Sequence, residues 1–141
     1  MKITQEYKNL IVKEFEDVSR LLKDAKGPND FLYLFSAAYG ILNRIMNIEC
    51  DPTIVFMHQV LQALHQALQA RLQAAGSNPM EPYPFPIEFL PKMTEVLENL
   101  RLAIIKESES EIYHELLRAS NLSYASTGNG YYLYIRKKLQ I

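Results

Sequence analysis

The chain has 141 residues, the size of one ordinary domain and enough to bury a core without disulfides or a metal. Hydrophobic residues make up 48% and charged residues 22%, which excludes a disordered or fibrous class; the net charge of -1 lacks the cationic excess of a protein that neutralises many phosphates. A single cysteine, Cys50, excludes an internal disulfide and fits a reducing compartment.

The amino-terminal residues are too polar for a signal peptide, and no run of about 18 to 20 apolar residues is uninterrupted. A cytoplasmic protein with no membrane segment is expected. The first segment, from about Thr4 to Ala25, repeats Tyr7, Leu10, Ile11, Phe15, Val18, Leu21 and Leu22 at intervals of three and four. That spacing predicts a helix buried along one stripe, with Thr4 as N-cap and Gly27-Pro28 as its stop.

Asn29 or Asp30 can cap a second helix that continues from Phe31 to about Glu49. Its first dozen residues are apolar nearly all round, which marks a central helix or an oligomer contact through Tyr33, Phe35 and Tyr39. A buried strand competes over Phe31 to Phe35, but Ala37-Ala38 and the length favour helix. Asp51-Pro52 is a strong helix start, since the aspartate accepts from the first amides and proline lacks a donor that would be orphaned there. The third helix runs to about Ala75 on a stripe of Val60, Leu61, Leu64, Leu68 and Leu72, widened at its start by Ile54, Phe56 and Met57.

Five of the seven prolines fall between residues 77 and 91, so this stretch reads as a stiff crossover. A fourth helix follows, carrying Met93, Val96, Leu97, Leu100, Ala103, Ile104 and Ile105. Ser108 and Glu111 form a capping box and predict a break, then a short fifth helix from about Glu109 to Asn121 with Ile112, Tyr113, Leu116 and Leu117 inward. The tail around Gly128-Asn129-Gly130 reads as a hairpin or as a short helix from Tyr131 to Leu139. The fold class is therefore all-α: one compact bundle of four to five helices with a proline-rich crossover.

Chemistry-bearing residues are few. His58 and His65 stand two helical turns apart, roughly 10 Å, too far to share one metal without help from another helix. Glu111 and His114 make one Glu-x-x-His pair, half of what a di-iron bundle needs. Glu107, Glu111 and Glu115 read more plainly as a solvated acidic row beside Arg118. Cys50 lacks a neighbouring base, and Thr127 to Gly130 lacks the lysine of a phosphate-binding loop. The richest surface stretch is Tyr131, Tyr132 and Tyr134 beside Arg136, Lys137 and Lys138, suited to anchoring a partner.

No complete catalytic, metal or cofactor set is present, and none is expected. The chain reads as a non-catalytic interaction or assembly protein that forms a homo-oligomer and binds a protein partner. The alternatives are a small-ligand or metal-binding bundle built on His58, His65, Glu111 and His114, and a helical subunit of a nucleoprotein complex using the basic aromatic tail.

Overall fold

The computed structural model describes residues 1–74 and 85–126. They form five helices and, among the described residues, no strand: α1 (Gln5–Lys23), α2 (Pro28–Met46), α3 (Pro52–Ala74), α4 (Phe89–Ile105) and α5 (Glu109–Tyr124). Most of the proline-rich crossover and the C-terminal hairpin or helix lie outside the described residues.

Punctuation in the sequence sets most helix ends, though not always through the expected atoms. Thr4 sits at the N-cap of α1, yet its hydroxyl and amide both bond the Glu49 carboxylate instead of capping the helix. Helix α2 starts earlier than Asn29 or Asp30. Gly27 is its N-cap at φ +134°, a conformation that glycine adopts readily and L side chains rarely do, and Pro28 opens the first turn. The Asp30 carboxylate instead reaches back to the Lys26 amide at 2.9 Å.

Asp51 starts α3 as expected, accepting from the amides of Thr53 at 2.9 Å and Ile54 at 3.4 Å. Ser108 caps α5 by accepting from the Glu111 amide. The preceding turn explains the break: Ser108 N–H bonds the Ala103 carbonyl and Glu107 N–H bonds the Ile104 carbonyl, with Glu107 left-handed at φ 57°. This is a Schellman end with glutamate in the place usually taken by glycine.

The helices form a ring in the order α1, α2, α3, α5, α4 and back to α1, with α2 also touching α4 across the middle. Antiparallel hairpins account for α1–α2, α2–α3 and α4–α5. The exception is α3 and α5, which run parallel because α5 enters the ring between α3 and α4; Thr53 and Phe56 near the start of α3 meet Tyr113 near the start of α5. Residues 1 to 8 tie the shared end of the bundle together. Lys2 N–H donates to Asp51 at 2.9 Å, the Met1 amine pairs with Glu109, and Lys8 pairs with Glu107 at 2.8 Å.

Inside the ring, Ile11, Phe15, Leu32, Phe35, Leu61, Leu64, Met93 and Leu97 are fully buried. Several expected core positions are not. Leu10 and Leu21 flank the α1 stripe and are about half exposed, because the buried row narrows to Ile11, Phe15, Val18 and Leu22. Leu117 is 65% exposed and Tyr113 is also open; α5 turns Ile112, Glu115, Leu116 and Ala119 inward instead. Phe35 is wholly inside the core, so it has no surface left for an oligomer contact.

Candidate functional site

Three places concentrate polar or unexplained side chains. The first lies between α2 and α3, where Tyr39 stands between the two histidines of α3. Its hydroxyl is 3.1 Å from His65 Nδ1, and its ring meets His65 and His58 edge-on with centroids 5.5 and 5.8 Å apart. His65 also has a backbone hydrogen bond to Leu32 that favours the charged imidazole, as a carbonyl acceptor does. Burial outweighs that bond and holds His65 below the usual histidine range; burial alone does the same for His58. Both imidazoles are thus biased toward the neutral form. The Tyr39 hydroxyl and His65 Nδ1 share one hydrogen bond, and the Leu32 backbone supplies the imidazole with a second.

The second place is a cleft of 210 Å³ between α4 and α5, lined by Asn99, Leu102 and Lys106 on one side and Glu111, His114 and Glu115 on the other. The Glu-x-x-His pair lies here, remote from the α2–α3 histidines. His58, His65 and His114 therefore do not converge, and among the described residues no group of three or more His, Cys, Asp or Glu is placed to hold a metal ion.

The acidic row is not a row. Glu107 belongs to the turn before α5, while Glu115 is only 6% exposed and faces α4. Both its carboxylate oxygens accept from Arg118 Nη1, at 3.0 and 3.2 Å, and Arg118 Nη2 reaches Glu95 at 3.2 Å. Lys106 lies 3.6 Å from Glu111. These pairs staple α4 to α5, leaving a cleft whose carboxylates are already engaged.

The third place is a surface without charge. Helix α3 contains one charged residue, Arg71, in 23, and none from Pro52 to Ala70. Its outer positions Phe56, Gln59, Ala63, Gln66 and Ala70 are exposed. Beside them α5 presents Tyr113, Leu117 and Tyr124, at 39%, 65% and 74% exposure, on one helical row. The rings of Phe56 and Tyr113 lie 5.7 Å apart, and Thr53 Oγ1 is 3.2 Å from Tyr113 Oη, so the two helices offer one continuous strip. Charge is concentrated elsewhere: α1 alone carries eight charged residues in 19, and the ion-paired side of α5 faces α4.

No family model, curated protein or solved structure matches this chain.

Of the residues singled out from the sequence, Tyr33 is 77% exposed on α2 and Tyr39 is half-buried against the histidines. Tyr131, Tyr132, Tyr134, Arg136, Lys137 and Lys138 lie outside the described residues. The strip of Phe56, Ala63, Tyr113, Leu117 and Tyr124 escaped sequence reasoning, which counted Phe56, Tyr113 and Leu117 as core. The available signal was the missing charge: a 19-residue helical stretch with no Asp, Glu, Lys or Arg.

Proposed function

We propose that this protein is a non-catalytic helical assembly subunit that associates with further copies of itself. The exposed apolar row of Tyr113, Leu117 and Tyr124 beside Phe56 supports this reading. Large aromatic and aliphatic side chains gathered on a charge-free surface are what the centre of a protein interface requires, whereas single exposed hydrophobics scattered over a monomer are ordinary.

A second reading has its own support in the α4–α5 cleft, where Asn99 and His114 offer donors and acceptors to a small polar ligand. Native mass spectrometry of the purified protein separates the two. Self-association gives ions at multiples of the 16.3 kDa chain mass with no added component. A monomer carrying one stoichiometric small molecule would replace the assembly reading with the ligand-binding one.

A further inference from the structure

We propose that the uncharged α3–α5 face is the contact surface between two copies of this chain, packed isologously about a two-fold axis; the proposal rests on the self-association reading and adds where the contact lies. In an isologous contact each patch meets its own duplicate. Any fixed charge near the axis then faces an identical charge, so a patch that lacks charge pairs with itself without repulsion. The α3–α5 strip meets that condition along the exposed positions of α3 from Phe56 to Ala70. A charged partner such as nucleic acid or an acidic peptide finds nothing there to pair with.

Size points the same way. At about 1.5 Å per residue, α3 is roughly 34 Å long and α5 roughly 24 Å, and at about 10 Å of width each they give a footprint of about 600 Å². A stable dimer buries about 600 to 1,000 Å² per partner. The strip is also built for close approach: Ala63 and Ala70 leave room between helices, while Phe56, Leu117 and Tyr124 project as anchors around them. Gln59 and Gln66 add self-complementary chemistry, since each amide both donates and accepts and can bond the same amide of the copy.

The test is sedimentation equilibrium on the full chain and three single variants: Ala63→Glu, Leu117→Glu and, as a control on the α2 surface, Tyr33→Glu. All three side chains are exposed within one copy, and circular dichroism checks that each variant keeps the helix content of the wild type. A dimeric wild type whose dissociation constant rises at least about 30-fold in Ala63→Glu and Leu117→Glu, but stays within about threefold in Tyr33→Glu, supports the placement. Dimers that survive both α3–α5 variants overturn the placement and leave self-association standing. A wild type that is monomeric at about 100 μM, a concentration that saturates any micromolar dimer, overturns both. If Leu117→Glu also lowers the melting temperature of that monomer by several degrees, a segment of the same chain covers the strip and the two-copy contact is refuted.

Discussion

Replacing Asp51 by alanine removes a single side chain that holds two parts of the chain together at one end of the bundle. Its carboxylate is 8% exposed and accepts from Thr53 and Ile54 in the first turn of α3 and from Lys2 in the amino-terminal segment. Loss of an N-cap costs about 1 kcal/mol, and loss of a further hydrogen bond to exposed Lys2 costs about 0.5 to 1.5 kcal/mol. The expected destabilisation is therefore about 2 kcal/mol, measured by urea unfolding followed at 222 nm at pH 7. The same site has a pH signature. Burial pushes the Asp51 carboxyl up, but the amides of Lys2, Thr53 and Ile54 together hold it below the ordinary aspartate value of 3.8. A depressed carboxylate contributes stability that is complete above the unfolded value and is lost as pH falls through the folded one. The gap between wild type and Asp51→Asn should accordingly be full at pH 7 and shrink below about pH 3.8. An Asp51→Ala protein within about 0.5 kcal/mol of wild type, the range of an ordinary surface change, would refute the clamp, and a pH-independent gap to Asp51→Asn would refute its ionic character.

Four further outcomes are expected. Because burial favours the neutral form of His58 and His65, the histidines contribute fully above about pH 6.5 and the fold loses stability as pH drops below that value; a His58→Leu/His65→Leu variant should show a flatter stability profile between pH 7 and 5 in denaturant titrations. Glu115→Ala leaves a half-buried Arg118 paired with Glu95 alone and should cost about 1 to 2 kcal/mol, below the 3 to 5 of a deeply buried pair because water reaches the guanidinium. Gly40→Ala should stabilise by about 0.5 to 1 kcal/mol, since an added Cβ meets nothing within 4 Å and the helix loses a flexible residue. Leu61→Ala, at a fully buried position facing the centre of the ring, should cost about 2 to 5 kcal/mol in the same assay.

The helix count and most boundaries were legible because they depend on local chemistry: Gly27-Pro28, Asp51-Pro52 and Ser108 act through atoms a few residues away. The misread positions depend on partners far along the chain. Thr4 gives up its cap to Glu49, which becomes a neighbour only once α1 and α2 fold back on each other. Glu115 looked solvated because its periodicity continues that of Glu111, yet its burial follows from α4 lying against that side of α5. Tyr113 and Leu117 have the spacing of an inward stripe, but α5 shares α3's edge of the ring and shows them outward. Periodicity thus locates a stripe within about one helical step, and the choice between core and surface at its margin is made by packing order. The candidate face was legible only as an absence of charge, whose meaning emerges when α3 and α5 are seen side by side.

The dissociation constant of the wild-type assembly, measured by sedimentation equilibrium at 50 and 500 mM salt, tests the central claim most directly, since screening lengths fall from roughly 14 to 4 Å over that range. Association through an uncharged face predicts particles of at least twice the 16.3 kDa chain mass and a constant that stays level or tightens with salt. A single species at the chain mass, or a constant that weakens about tenfold at the higher salt, would contradict it.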